Sequence, residues 1–250
     1  MSESLSHFVT PGQVITEDPA YMRGHGTYRD DKNGCLRAAV AGTVLRTNML
    51  LSVVPVKARY SGDIGDVVIG RIQSVGSKKW KVECGAKQDA ILHLSSIYLP
   101  GGIQRRKSEE DELQMRTFFE EGEIICAEVQ TLFSDGAIGI HTRNSKYGKL
   151  VTGELVQVHS GLIRKLKSHF LSFKLDDQST EIEVILGMNG LCWVGKRRVY
   201  SEDNMYSSHL DTVTQSERLS IVKLRNALLS LDAAFHYIDE KSIWTVINAN

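Results

Sequence analysis

The amino-acid sequence predicts a mixed β and α+β fold with a small N-terminal β domain, a five-stranded barrel of the OB type and a C-terminal α+β module that ends in a helix. Three observations lead to this prediction. Short β-like runs between turn residues form the N-terminal part, strand-like segments with one interruption form the middle, and strands precede a long helical pattern near the C-terminus. A length of 250 residues suits one or two domains of ordinary size, so three domains are each expected to be small.

The predicted N-terminal β domain covers residues 1–59. Its β-like runs are Leu36–Leu45 and Met49–Val56, and the polar segment Arg46–Asn48 between them is typical of a hairpin connection. Turn residues such as those of Asp30–Gly34 separate the shorter runs. From these β-like runs and turns we expect a small all-β domain.

The predicted barrel covers residues 60–150 and contains strand-like segments that are alternating or wholly apolar and are bounded by Gly, Asp or Ser. These segments are Val67–Ile72, Lys79–Glu83, Ala90–Leu94, Ile124–Val129 and Ile138–Thr142. The interruption contains Leu99–Gly102 and then a predicted helix that starts near Ser108 and stops at Gly122. Five short strands with one helical insertion are typical of a small closed OB-type barrel.

The predicted α+β module covers residues 151–250. Two strands, Glu181–Leu186 and Leu191–Val194, are joined by a short glycine-containing turn, and a basic helix is predicted over Ser160–Phe170. A polar stretch then leads into a long helix, in which apolar residues recur at helical spacing and indicate a buried face. Those residues are Ile221, Leu224, Leu228 and Leu231.

The composition excludes several classes of protein. No run approaches the ~18 apolar residues that a membrane helix needs, and Met1–Thr10 has neither the basic flank nor the apolar stretch of a secretory signal. The 4 cysteines are far apart with no CxxC pair, which fits neither a disulfide framework nor a zinc site. We therefore expect them to be buried thiols in a reducing compartment.

The sequence offers no catalytic constellation that holds together. Residues 190–196 match the start of a phosphate-binding loop, but Arg197 stands where the magnesium-binding hydroxyl belongs. The sequence also has no nucleophile elbow, no metal-ligand spacing and no carboxylate cluster. We therefore expect a protein that is not an enzyme and that needs no metal or other cofactor.

Charge is balanced overall but is arranged in blocks. The chain has 30 basic and 30 acidic residues, so its formal net charge is zero, which argues against a protein that coats nucleic acid. Basic blocks nevertheless lie at the predicted loops of the barrel, where the bases can contact nucleic-acid phosphates and the tryptophan among them can stack on a nucleotide base. The candidate residues are Lys78, Lys79, Trp80, Arg105, Arg106, Lys107, Arg143 and Lys146.

Each candidate also has a simpler interpretation. Trp80 either stacks on a base or is a core aromatic, and the basic blocks bind either nucleic-acid phosphates or an acidic protein surface. The segment Gly187, Met188, Asn189, Gly190 matches the GxxG loop with which KH modules clamp a nucleic-acid backbone. Both of its flanks are strand-like, however, and a hairpin turn that needs positive φ is the favoured interpretation.

A series of motifs in fixed order resembles the ribosomal RNA-processing protein 4 family of exosome cap subunits and covers at least residues 9–194. The motifs are Val9–Gly12, Tyr21–Tyr28, Arg59–Val68, Lys79–Glu83, Leu99–Gly102, Arg105–Arg116, Phe133–Ala137, His141–Arg143, Lys146–Leu150 and Ile185–Gly190. The resemblance implies that the barrel is an S1 domain, that the C-terminal module is of the KH type and that the GxNG segment Gly187–Gly190 is a structural turn.

The resemblance also implies a function. Such a cap subunit performs no hydrolysis, bridges RNase PH-like ring subunits beside other cap subunits, and guides single-stranded RNA 3′ end first into the complex for ribosomal RNA processing and RNA turnover. The expected location is the nucleus and nucleolus, and also the cytoplasm. Two alternatives remain open, namely a purely structural adaptor without RNA contact and a stand-alone nuclease.

Overall fold

The computed structural model describes residues 7–55, 57–98, 109–175, 181–198, 206 and 212–249. The chain divides into two compact units, Met1–Ala58 and Arg59–Asn250. None of the helices in the described residues contains an apolar stretch of the length that a membrane span requires.

The N-terminal unit consists of short strands in two sheets. The strands are β1 (Phe8–Val9), β2 (Val14–Thr16), β3 (Met22–Arg23), β4 (Thr27–Arg29), β5 (Leu36–Ala38), β6 (Gly42–Thr47) and β7 (Leu50–Pro55). One sheet has the order β1-β6-β7-β3 and the other has the order β2-β5-β4. The predicted hairpin joins β6 to β7, and Asn48 supplies the positive φ of its turn. A small core of Val9, Ala38 and Val53 lies beneath the sheets.

A five-stranded barrel opens the second unit. Its strands are β8 (Val67–Gly76), β9 (Lys79–Glu83), β10 (Ala90–Ile97), β11 (Ile124–Leu132) and β12 (Ile138–Thr142), and the short β13 (Gly148–Lys149) pairs antiparallel with the start of β11. The neighbours run β8-β9-β10-β12-β11, and β11 also pairs with β8, which closes the barrel. The predicted OB-type barrel is therefore confirmed, with all its strands at the expected places.

Alternation of side chains places the barrel core. On β9, Trp80 and Val82 point inward while Lys79 and Lys81 point outward, as the period of a strand requires. The predicted inserted helix consists of two short helices, α1 (Glu109–Leu113) and α2 (Met115–Phe118). These helices bring Met115 and Phe119 onto the barrel core.

The C-terminal module is a four-stranded antiparallel sheet covered by helices. Its elements are β14 (Gly153–Gln157), a 3-10 helix (Ser160–Leu162), β15 (Phe170–Phe173), β16 (Ile182–Leu186), β17 (Leu191–Lys196), α3 (Gln215–Ala233) and α4 (Glu240–Ala249). The strand order is β14-β17-β16-β15. The apolar face predicted for the C-terminal helix is buried against the sheet. A capping box of Thr214 and Glu217 begins α3.

The predicted basic helix over residues 160–170 is wrong, because this segment is held by partners far away in the sequence. After the 3-10 helix, Ile163 forms a parallel bridge with Ile238, and Phe170 begins strand β15 opposite Ile185. His169 lies buried between these contacts. Tertiary pairing therefore overrides the local helical pattern.

The barrel and the C-terminal module share a core within the second unit. Val67, Ile69 and Cys126 on the outer face of β8 and β11 pack together with Ile185 and Trp193 of β16 and β17. Burial of these apolar side chains covers one outer face of the barrel and leaves the face formed by β9 and β10 uncovered by this core.

Candidate nucleic-acid interface

The outward face of the barrel carries a row of lysines on β9. Lys79 lies opposite His93 of β10, and Lys81 lies opposite Ile91, so the basic side chains project beside an exposed histidine and a half-buried isoleucine. In the part of the chain that the structure describes, neither Lys79 nor Lys81 has an acidic side chain within ion-pair distance. Both ammonium groups are therefore available to an anionic ligand.

More basic side chains lie at one end of the same barrel. Because β12 runs parallel to β10 and β10 runs antiparallel to β9, the end of β12 lies at the same end of the barrel as the β8–β9 turn. Arg143 follows the end of β12, while Lys78 sits in that turn with φ +60°. Arg143 and Lys146 are exposed, whereas Lys78 is paired with Glu112 at 3.0 Å.

Trp80 does not belong to this surface. Its side chain is 0% exposed, its Nε1–H donates to the backbone oxygen of Phe119 at 3.1 Å, and its ring meets that of Phe119 edge-on. A ring without an exposed face cannot stack on a base, so the prediction of base stacking by Trp80 is wrong and the core alternative holds. The apolar partner two residues on, Val82, points into the same core.

The candidate residues Arg105, Arg106 and Lys107 lie outside the described residues, as does the segment Leu99–Gly102. Another basic block, Lys196–Arg198, is described and is neutralised inside its own module. Its three side chains pair respectively with the buried carboxylate of Glu217, the partly exposed carboxylate of Glu181 and the buried carboxylate of Glu183. These pairs connect the end of β17 and the two residues after it to β16 and α3, and they leave little charge for a ligand.

Two neutral aromatic groups lie beneath the end of the barrel that carries Lys78, Arg143 and Lys146, which we call the rim. Tyr147 donates its hydroxyl hydrogen to Glu128 Oε2 at 2.6 Å, and burial together with this carboxylate raises the pKa of Tyr147. Burial lowers the pKa of His141, whose ring packs edge-on against that of Tyr147. At neutral pH the rim charge therefore comes from the exposed Arg143 and Lys146.

The GxNG segment is a tight turn between β16 and β17. Gly190 has φ +86° and its N–H donates to the oxygen of Gly187 at 2.9 Å. The side chain of Asn189 bonds to the backbone of the barrel. Its Nδ2 donates to the oxygens of Ile69 and Cys84 at 2.7 and 2.9 Å, and its Oδ1 accepts from the Ile69 N–H at 3.3 Å. Asn189 is 8% exposed. Through these buried hydrogen bonds the turn joins the C-terminal module to the barrel.

Two residues of this face were missed in the sequence analysis as individual sites. Lys81 is marked by the alternation of the segment Lys79–Glu83, which puts both lysines on one face of β9. His93 is marked only by its register with Lys79, and register between strands is not visible in a single sequence.

The arrangement suits electrostatic binding of a flexible anionic chain. A row of exposed ammonium groups on a sheet face meets phosphates without reading bases, since phosphate contacts carry no sequence information. Within the described residues there is no cluster of His, Cys, Asp or Glu that could hold a metal ion.

Comparison with known proteins identifies the family. Three family models match the chain: "RRP4, S1 domain" over residues 59–131, "Exosome complex exonuclease RRP4 N-terminal region" over 8–47 and "KH domain" over 153–200. The exosome complex component RRP4 of Bos taurus is 48% identical over 231 residues, which cover 92% of this chain and 76% of the bovine protein. The chain belongs to the RRP4 family of exosome complex components.

Other relatives extend the similarity. The exosome complex component rrp4 of Schizosaccharomyces pombe is 47% identical over 87% of this chain and 68% of its own length. The exosome complex component Rrp4 of Pyrococcus furiosus is 24% identical over 89% of this chain and 82% of its own. The S1-domain match lies on the barrel, and the KH-domain match lies on the four-stranded sheet of the C-terminal module. RRP4 is a non-catalytic component, and the chain is accordingly not an enzyme.

Proposed function

We propose that this RRP4-family chain is an exosome cap subunit that guides single-stranded RNA, 3′ end first, along its S1 barrel toward a nuclease carried by other subunits. The observation that supports this most is the pair of outward lysines, Lys79 and Lys81, on the S1 barrel, which have no acidic partner among the described residues. A conduit for RNA of any sequence needs phosphate attraction and little base recognition, which is what this face offers.

The rim extends the proposed path. Arg143 and Lys146 are exposed at one end of the barrel, and Lys78 stands in the neighbouring turn. Arg105, Arg106 and Lys107 remain proposed contacts from the sequence alone. Because the net charge of the chain is zero, we expect the isolated chain to bind RNA weakly, near the ~10⁻⁴–10⁻⁶ M of non-specific binding.

The same subunit is proposed to bridge RNase PH-like ring subunits and to meet other cap subunits. In the N-terminal unit, Phe8, Thr43 and Val54 are adjacent across β1, β6 and β7, and Leu45 lies on the same outer face. The three apolar side chains of this set are exposed. An uncharged, apolar sheet face on a small unit is typical of a surface that is buried by a protein partner.

A second candidate function is a structural adaptor that makes no RNA contact. The observation that favours it is the internal pairing of Lys196–Arg198, which shows that a basic block in this chain can serve its own fold. Both functions place the chain in the same assembly, with an expected location in the nucleus and nucleolus and also in the cytoplasm.

The experiment that tests the proposal is affinity purification of the tagged full chain from its own cells, with quantitative mass spectrometry of its partners. RNase PH-like subunits in near-equal amounts are expected. A chain that elutes as a monomer without them would contradict the cap function. A matched purification of a variant with Phe8 and Val54 both changed to Asp tests the sheet face, and loss of ring subunits is expected for it.

A further inference from the structure

An exposed aromatic ring lies on the outward face of the S1 barrel, at the turn that joins β11 to β12. Phe133 is 39% exposed, whereas the other Phe, Tyr and Trp side chains in the described part of the barrel are buried or half-buried. Its turn is closed by backbone bonds from the Phe133 N–H to the Ala137 oxygen at 2.9 Å and from the Gly136 N–H to the Phe133 oxygen at 3.0 Å. Asp135 Oδ1 also accepts from the Ala137 N–H at 2.9 Å, so the ring is carried by a closed turn.

The ring lies over a glycine of β12. Ile138 and Ile140 point into the barrel core, so the intervening Gly139 faces outward. A Cβ added at Gly139 would come within 3.3 and 3.5 Å of two ring atoms of Phe133 and would collide with the Thr131 hydroxyl. The glycine therefore lets the aromatic ring rest on the outer surface of the sheet.

The registers connect this ring to the lysine row. Ile91 of β10 pairs with Lys81 on one side and with Gly139 on the other, so all three lie in one cross-strand row. Two strand spacings, about 10 Å, separate the backbone of Lys81 from that of Gly139. The half-buried Ile91 lies between an ammonium group and an aromatic ring.

The charges near the turn are mixed. Lys87 packs its stem near Gly136, while Asp89 is exposed in the neighbouring β9–β10 loop and Asp135 lies in the turn itself. This mixture offers no net attraction to phosphate. An aromatic ring at this point is therefore suited to the base of a nucleotide, because every base has a face that can stack.

We propose that Phe133 is a base-stacking platform for single-stranded RNA whose phosphates lie on Lys79 and Lys81. The proposal rests on the proposed RNA-guiding function and adds to it a residue that contacts bases rather than phosphates. Stacking of this kind tolerates any sequence, so it holds the RNA on the barrel without selecting it.

The test measures binding of the full chain to a uridine oligonucleotide at low salt, and to the same oligonucleotide with abasic sites. Phe133→Ala and Phe133→Leu are expected to weaken binding about tenfold, while Phe133→Tyr keeps the wild-type affinity. Leucine preserves apolar packing over Gly139. A loss of RNA affinity in Phe133→Leu but not in Phe133→Tyr therefore shows that the aromatic face makes the contact. The salt dependence should not change, and the abasic RNA should not distinguish the variants.

Equal affinities of the wild type and Phe133→Leu would overturn the stacking role. If Lys79→Glu still weakens binding in that case, the phosphate path stands and stacking alone fails. If the wild-type chain binds no RNA even at low salt, both the stacking role and the RNA-guiding function fail. Thermal unfolding of each variant identifies a loss of RNA affinity that comes from misfolding. Among the folded variants, the affinities of Phe133→Leu and Phe133→Tyr then decide whether Phe133 stacks on a base.

Discussion

The side-chain amide of Asn189 in the KH turn bonds to both the backbone N–H and the backbone oxygen of Ile69 in the S1 barrel, although the two residues are 120 positions apart in sequence. The same amide also donates to the oxygen of Cys84. In a neighbouring contact, the Met188 N–H donates to the oxygen of Val67 at 2.8 Å. The turn thus bonds to the start of β8, which β11 pairs on its other edge, ahead of Arg71, where the pairing with β9 begins.

Asn189→Ala should destabilise the second unit. The change leaves the N–H and oxygen of Ile69 and the oxygen of Cys84 without these buried partners, and each such loss costs about 1–3 kcal/mol, so a total of about 3 kcal/mol is expected. Urea unfolding measures it. The control is Asn226→Ala on the exposed side of α3, which should change the free energy of unfolding by less than about 0.5 kcal/mol. Equal effects of the two changes would contradict the anchoring role.

Gly190→Ala should cost more than Gly65→Ala, although both glycines have φ +86°. A Cβ at Gly65 meets nothing within 4 Å, whereas at Gly190 it would collide with the Val158 oxygen and lie 3.0 Å from the Ser160 nitrogen. Gly65→Ala therefore reports the backbone cost alone, about 1–2 kcal/mol. Gly190→Ala adds the steric cost, and a total above about 3 kcal/mol is expected in urea unfolding. Similar values for both variants would show that the turn yields without strain.

The free energy of unfolding should decrease as the pH is lowered, because His169 is buried in its neutral form. Burial is the main cause that lowers the pKa of His169, whose Nδ1 donates to the oxygen of Leu186 at 2.9 Å while Nε2 accepts from the Leu166 N–H at 3.3 Å. The unfolded chain therefore binds the proton more readily than the folded one. The contribution is complete above the ordinary histidine pKa, about 6.5, and declines as the pH falls from there toward the lower folded value.

The measurement is the free energy of unfolding from pH 7.5 to pH 5, for the wild type and for His169→Asn. The variant should be less stable at pH 7.5 but should lose less stability on acidification. His236→Asn is the control, because His236 is exposed. A wild type and a His169→Asn variant with parallel pH profiles would contradict a neutral, buried His169.

Trp80→Phe should affect stability and not RNA binding. The change removes the indole N–H that donates to the Phe119 oxygen and leaves a small cavity in the barrel, with an expected cost of about 1–3 kcal/mol. The affinity for single-stranded RNA should stay within twofold of the wild type under conditions where both are folded, a range of about 0.4 kcal/mol. A clear loss of RNA affinity in a folded Trp80→Phe variant would contradict the core role and indicate that Trp80 contacts RNA.

Much of the fold could be predicted from local patterns. The alternation in Lys79–Glu83 predicts β9, and it also groups Trp80 with Val82 on the face opposite the two lysines, which is a signal that Trp80 is a core residue. The failure over residues 160–170 has another cause. The partners that hold this segment extended, Ile238 and Ile185, lie far away in the sequence, and a local pattern cannot report them.

The candidate site could be predicted only in part. The basic residues of the barrel loops are visible as charge blocks, but the pairing of Lys196–Arg198 with carboxylates depends on tertiary contacts. The outward exposure of Phe133 likewise depends on its position over Gly139. The sequence therefore locates charge, and the three-dimensional structure decides which charges and rings are free.

The most direct test of the central claim, that the outward face of the S1 barrel carries RNA, is the salt-dependent affinity of a variant with Lys79 and Lys81 both changed to Glu. The full chain is titrated with a single-stranded oligonucleotide beside a matched variant with Lys223 and Lys241 changed to Glu, both exposed on the C-terminal helices. The barrel variant should bind more weakly, with a slope of log affinity against log salt reduced by about 0.7 for each lysine that meets a phosphate. Equal affinity and equal slope in the two variants would contradict the claim and favour the structural adaptor.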